Sequence, residues 1–418
     1  MIDTFGWDTV FACTIDHANR ALATSTEALG ETLEFEEGGL RIDARLGAWQ
    51  LVPGGSRQLV HMQVAIATGM FYQGGATIDL AGVAVILEVS LQLLPVAPNA
   101  PDAVAKRRLT FKFVAVNTDP KKHGPGLVTF IRVIDPRGDL SPLQQALVGE
   151  AVARHLVDDA ASVAFAFAEI DLVDHGSEGW LCPTHSDYCY VEMEGGRALF
   201  CIVGMISGHI AEGIEPSVDP GLLDAVHEGF FAISRDSFMQ HAVLPMLVGA
   251  YPGSTLKSFT YTPATGAITN TEPCSIGKVK GYAPKLKALR VTADRGSLVL
   301  HAKGACDMNF LGVSMTFTAD ARLPLTFDAQ RQAISFKADP KPAHSIAYDI
   351  PLGVRALILA GGGLVGFLVV EELIVPLIYG GIAESLSKRA GQSMLTQNSV
   401  RSTHWTGTKQ FTAQEAGL

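Results

Sequence analysis

The chain has 418 residues, 48% of them hydrophobic and 18% charged, and its 42 acidic against 32 basic side chains give a formal net charge of −10. An acidic chain without a strongly basic segment is repelled by a phosphate backbone, which argues against a nucleic-acid partner. So many apolar residues offset the entropy of ordering, which excludes intrinsic disorder.

From the N-terminus, Trp7, Val10, Phe11, Ile15, Ala18 and Leu22 recur at helical spacing and predict a first helix over 8–30. The period then changes to two. Leu40, Ile42, Ala44 and Leu46 alternate with Arg41, Asp43 and Arg45, and Val60, Met62, Val64 and Ile66 repeat the pattern, as half-buried antiparallel strands do. Segments 76–94, 109–116 and 127–134 continue the series between turn-forming Pro, Gly, Asn and Asp clusters. Ser141 as N-cap, Pro142 at the first helical position and Gln144 three residues after the cap open a second helix that runs to Val157.

Segments 162–173 and 197–207 read as strands. Asp219 and Pro220 open a third helix with Leu222, Leu223, Val226 and Phe230 on its inner face, and Ser234 caps a fourth that reaches Leu247 with a kink at Pro245. Further strands follow at 298–300, 309–318, 323–327 and 333–336, then an apolar, glycine-rich segment over 350–383 and a polar tail over 391–418. Helices and sheets come in blocks without βαβ alternation, so the predicted class is α+β, with long helices wrapped by strongly curved antiparallel sheets. Two helix-plus-sheet lobes are expected, 1–175 and 176–390.

Six cysteines, Cys13, Cys182, Cys189, Cys201, Cys274 and Cys306, are scattered rather than densely spaced and read as reduced thiols. The opening residues carry Asp3 and Asp8 and no basic start to an apolar run, so no secretory signal is read and the expected compartment is the cytoplasm. Residues 356–370 are uncharged, but fifteen helical residues reach only about 22 Å against a hydrocarbon core of about 30 Å. A buried or amphipathic helix pair is favoured there over a membrane hairpin.

Most motifs dissolve on inspection. Gly361-Gly362-Gly363-Leu364-Val365-Gly366 fits GxGxxG, yet too little chain follows for a dinucleotide-binding unit. Cys182, His185 and Cys189 match none of the strong metal spacings, so neither a metal nor a cofactor is expected. Gly312 to Thr316 lacks the final glycine of a nucleophile elbow. Asp16 with His17, His209 with Glu212, and His241 are acid/base candidates whose convergence a sequence cannot show. Lys278, Lys280, Lys285, Lys287 and Arg290 place five positive charges in thirteen residues with no acid among them. Such a run fits either an anionic headgroup or the blunting of a sheet edge. Lys106-Arg107-Arg108 and Lys121-Lys122-His123 read as loops.

The opening Thr4-Phe5-Gly6-Trp7-Asp8-Thr9-Val10-Phe11 resembles the start of the clostridial 47-kilodalton protein and OrfX family, whose genes lie beside botulinum-type toxin genes. Phe231 to Phe238, followed by Val243-Leu244-Pro245, resembles that family's central helical region, and the glycine-rich stretch before the tail its C-terminal region. The resemblance implies a tubular lipid-binding (TULIP) fold with an apolar groove, and no catalytic residues. The expectation is therefore non-enzymatic binding of a lipid or other long hydrophobic molecule. Trp7, Phe11, Phe230, Phe231, Leu364 and Phe367 are taken as lining or gating residues, and Lys285 and Lys287 as an anionic-headgroup contact. An anionic membrane surface and proteins of the same gene cluster are the expected partners. The rival expectations are an enzyme of specialised metabolism using the groove as a reaction chamber, and an interaction subunit of a protein complex.

Overall fold

The computed structural model describes residues 4–26, 32–96, 105–119, 121–163, 166–172, 180–181, 183–206, 208–223, 227–278, 282–307, 312–328, 330, 333–337, 339, 342–351 and 403–405. The chain divides into two compact units, one built on Ile2–Ala232 with Ser399–Phe411 and one on Ile233–Asn398.

In chain order the first unit contains β1 (Thr9–Thr14), α1 (Ile15–Thr26), β2 (Thr32–Glu37), β3 (Leu40–Ser56), β4 (Leu59–Gln73), β5 (Ala76–Asp79), β6 (Ala84–Val96), β7 (Ala105–Lys112), β8 (Ala115–Val116) and β9 (Leu127–Ile134). It continues through α2 (Pro142–Asp158), α3 (Ala160–Val163), β10 (Ala166–Leu172), β11 (Pro183–Glu192), β12 (Ala198–Ile206) and β13 (Gly229–Ile233). Then come α4 (Arg235–Ser237), a π-helical turn (Phe238–Val243), α5 (Leu244–Ala250), β14 (Phe259–Thr262), β15 (Ala267–Asn270), β16 (Cys274–Ser275), β17 (Lys285–Asp294), β18 (Ser297–Asp307), β19 (Ser314–Asp328), β20 (Ala333–Phe336), β21 (Ala343–Asp349) and β22 (Thr403–Trp405). The fold is thus mostly curled β-sheet with few helices, which corrects the expectation of long helices wrapped by sheets. The break between units falls at Ala232/Ile233 rather than near residue 175, because β11 and β12 join β1 in a single sheet.

A ten-stranded sheet runs β2-β3-β4-β6-β7-β10-β22, with β5, β8 and β9 attached to its side, and a four-stranded sheet runs β11-β12-β1-β13. Alternation carries the large sheet: Leu40, Ile42, Ala44 and Leu46 on β3, Val60, Met62, Val64 and Ile66 on β4, and Val85, Leu87 and Val89 on β6 are all buried in one cluster. Register shifts between Leu46 and Trp49 and between Val52 and Ser56 bend β3 against β4. Trp49 and Leu51 return to the same cluster beyond the first of them.

Both longer helices of this unit pack on that cluster, α1 through Ala18 and Leu22, and α2 through Val148, Ala151, Val152 and Leu156. Each of the leucines and valines among them contributes about 1.5–3 kcal/mol when removed from water. The α2 start is as read from sequence, with a Ser141–Gln144 capping box and Pro142 in the first turn. Gly149 sits where a Cβ would lie 2.2 Å from the Phe130 ring, so only glycine lets this helix approach β9 so closely.

Two predicted helices are corrected. Residues 9–14 form β1, and the helix starts only at Ile15. The third is a single 3₁₀ turn, Pro220–Leu222, capped by the Asp219 side chain, and Phe230 lies on strand β13. At Pro245 the expected kink takes the form of the π-helical turn, with Leu244 N–H reaching the Met239 carbonyl. Proline lacks an N–H and crowds the carbonyl four residues back, and the preceding turn widens to accommodate it.

In the second unit an eight-stranded sheet runs β14-β15-β17-β18-β19-β20, with β16 on β17 and β21 on β19. Leu286, Leu289 and Val291, Leu298, Leu300 and Ala302, and Met315, Phe317 and Ala319 are buried on its inner side. Among the described residues no helix is long and apolar enough to cross a membrane. The predicted apolar segment over 350–383 lies, from residue 352 on, outside the described residues, as does the polar tail apart from residues 403–405.

Candidate functional site

Strand β1 reads Thr-Val-Phe-Ala-Cys-Thr and is buried along its length, because both faces of the small sheet are covered. Phe11 and Cys13 enter the large cluster, while Val10 and Ala12 enter a second cluster with Trp7, Cys189, Leu199, Cys201, Val203 and Met205. On β13, which ends the sheet, Phe230 packs against the second cluster and Phe231 against the first. Both β13 rings are only half-buried. The structure therefore gathers four predicted residues about one sheet, Trp7, just ahead of β1, and Phe230 in the cluster on one face, and Phe11 and Phe231 in the cluster on the other.

Trp7 is 1% exposed, stacks on His185 with ring centroids 6.1 Å apart, and donates its indole N–H to the Glu215 carbonyl at 3.2 Å. Phe11 is 4% exposed. These two anchor the sheet, whereas Phe230 and Phe231 keep part of their surface open.

Polar groups collect at the rim. The buried Asp8 carboxylate accepts the Ile206 N–H at 3.0 Å and the His209 ring at 2.8 Å, so His209 pairs with Asp8 and not with Glu212. At the other end of β1, Glu228 accepts from Arg20 at 2.6 Å and lies 3.3 Å from His17 Nδ1. Burial lowers the pKa of His17, and the Arg20 charge adds to that against the opposing pull of Glu228. Burial works to raise the Glu228 carboxyl, but His17 and Arg20 outweigh it and hold it below the ordinary range. Asp16 is exposed, and His241 lies within the π-helical turn.

A further polar cluster lies on the face of β6 turned away from that large cluster. Glu88 is 7% exposed between His123, 2.7 Å away, and His61, 3.6 Å away. Among the described residues no group of three or more His, Cys, Asp or Glu side chains can hold a metal ion. Cys182 lies outside the described residues, His185 stacks on Trp7 and Cys189 is buried.

In the second unit, β17 alternates in sign of hydrophobicity. Leu286 and Leu289 point inward, while Lys285, Lys287 and Arg290 are exposed. Across the pairing with β18, Ala288 lies opposite Lys303, which is also exposed. Among the described residues these four cations form no salt bridge, in contrast to Arg322, which is 2.6 Å from Asp294. One strand further, His301 pairs with Asp320. Lys303 and the Asp8–His209 and Glu228–Arg20 pairs escaped sequence reasoning. Lys303 was readable from the alternation around Leu300 and Ala302, but the two pairs join residues about 200 positions apart. Leu364 and Phe367 lie outside the described residues.

Comparison with known proteins places this arrangement among relatives. The family model for OrfX-like proteins, described as Protein OrfX2/OrfX3/P47, matches residues 4–317. Protein P47 of Clostridium botulinum (strain Kyoto / Type A2) is 20% identical over 365 residues, 84% of either chain. Protein OrfX3 of Paraclostridium bifermentans is 22% identical over 292 residues, 63% of this chain and 58% of that one. The solved structure of P47 from Clostridium botulinum A2 matches with a TM-score of 0.73 at 18% identity, over 91% of this chain and 88% of that one. P47 of Clostridium botulinum E1 matches with a TM-score of 0.67 at 19% identity, over 92% and 90%. At such identities the likeness to solved structures speaks for the fold.

Proposed function

Because the chain belongs to the OrfX-like family, we propose that it is a non-enzymatic binder of a lipid or other long hydrophobic molecule, serving as an accessory protein of a toxin-like gene cluster. The observation that carries this reading is β17 with its neighbour. An acidic chain keeps Lys285, Lys287, Arg290 and Lys303 on one outward face with no carboxylate pairing them among the described residues, directly behind an apolar inner face. A phosphate or carboxylate headgroup fits the outward side at about 1 kcal/mol per cation near a membrane surface. Separately, within the first unit, Phe230 and Phe231 are half-buried on opposite faces of β13, and each offers aromatic surface to hydrocarbon. A TULIP-type apolar groove, the form the family resemblance implies, is part of the same proposal.

Organic-solvent extraction of the purified chain followed by mass spectrometry tests it. A co-purifying acyl lipid at fixed stoichiometry is expected. A lipid-free extract from a chain that instead co-purifies as a fixed complex with another protein would replace carriage with scaffolding.

A further inference from the structure

We infer that Cys189 and Cys201 are an oxidation site, two thiols that close into a cross-strand disulfide when the chain meets a low-molecular-weight disulfide such as oxidised glutathione. This goes beyond the binding function. The two residues stand directly opposite one another in the register of β11 and β12, and both are fully buried. The backbone shows which kind of pair they make. Tyr190 N–H donates to the Arg57 carbonyl at 2.6 Å, on the side away from β12. The adjacent Cys189 therefore turns its own N–H and carbonyl toward Cys201. Opposed residues of that kind sit about 5.5 Å apart at Cα, within the roughly 4.4–6.8 Å that a disulfide spans. Cys13 packs in the cluster on the other face of the sheet, so the two thiols share their side without it.

The exchange balances. One cysteine thiolate attacks a sulfur of the reagent, forming a mixed disulfide and releasing one glutathione. The second attacks the cysteine sulfur of that mixed disulfide, forming the Cys189–Cys201 bond and releasing the other. The protein loses two electrons, the reagent gains them, and the two cysteine protons are matched by two glutathione thiols. Burial pushes the Cys201 thiol well up, which slows reaction in the closed sheet. β11 ends its sheet, so folding, or opening of that strand, brings the pair within reach.

The test is to refold the full chain in a buffer of oxidised and reduced glutathione, alkylate, digest with trypsin without reduction and map the peptides. Cleavage after Arg197 separates the two cysteines. The expected product joins peptides 155–197 and 198–235, with fragmentation placing the link at Cys189 and Cys201. It persists in Cys182→Ser and disappears in Cys189→Ser, and the oxidised chain melts at a higher temperature than the reduced one. The wild-type map decides by itself if a variant fails to fold. Recovery of Cys189 and Cys201 alkylated singly, or a link running to Cys13 or Cys182, overturns the inference.

Discussion

The hydroxyl of Tyr188 accepts the backbone N–H of Leu91 at 2.7 Å, which ties β11 of the small sheet to β6 of the large one. The same hydroxyl donates to the Gln58 carbonyl at 2.7 Å, so one oxygen on β11 bonds two backbone segments. Tyr188→Phe keeps the ring, stacked on Phe200, but leaves a buried N–H and carbonyl unmatched. A loss of about 1–3 kcal/mol is expected, read as a lower denaturation midpoint in urea. An unchanged midpoint would show that water replaces the hydroxyl.

His17 makes stability depend on pH. Its folded pKa lies below the ordinary 6.5, through burial first and the Arg20 charge in addition. The unfolded imidazole therefore takes up a proton where the folded one resists. The stabilisation is complete above pH 6.5 and is lost as pH falls through the lowered folded value. Thermal midpoints between pH 7.5 and 5.5 should fall for the wild type and fall less for His17→Gln. Parallel slopes would assign the effect to another group.

Gly149→Ala sets helix propensity against packing. Alanine favours a helix interior by up to about 1 kcal/mol over glycine, but its Cβ would lie 2.2 Å from Cδ2 and 2.8 Å from Cγ of Phe130, close to the ring's root where rotation gives little relief. Packing wins, with a net destabilisation of about 1–3 kcal/mol. Phe130→Leu in the same chain should recover part of it, and a double-mutant cycle by chemical denaturation measures the coupling.

The sheets were far more legible in the sequence than the helix boundaries. Alternation located β3 and β4, because each has one face in the core, turn clusters bounded β9, and the Ser141 capping box located α2. β1 misled for the opposite reason: covered on both faces, it shows no alternation, and its apolar run merges with the helical spacing of Ile15, Ala18 and Leu22. Phe230 and Phe231 were picked out as aromatics, but their placement on opposite faces of one strand needs the pairing of β13 with β1, about 220 residues away. The lysines of β17 were visible as a run without acids. That their neighbours leave them unpaired depends on which strands stand beside them.

Removing two of those cations separates headgroup contact from strand stability. Lys285→Ala with Lys287→Ala leaves the inner leucines untouched. At about 1 kcal/mol per charge the pair should weaken association with phosphatidylserine vesicles by about thirtyfold. Flotation with phosphatidylserine and with phosphatidylcholine vesicles should show the loss on the first alone. Equal flotation of wild type and variant would leave the lysines as protection of the sheet.

The central claim is that this protein holds a hydrophobic chain, and equilibrium titration with a fluorescent acyl lipid tests it most directly. A saturable signal with fixed stoichiometry, displaced by unlabelled lipid and weakened by Phe230→Ser with Phe231→Ser in a chain that still melts cooperatively, is the predicted result. A signal that rises without saturation and resists displacement would contradict it.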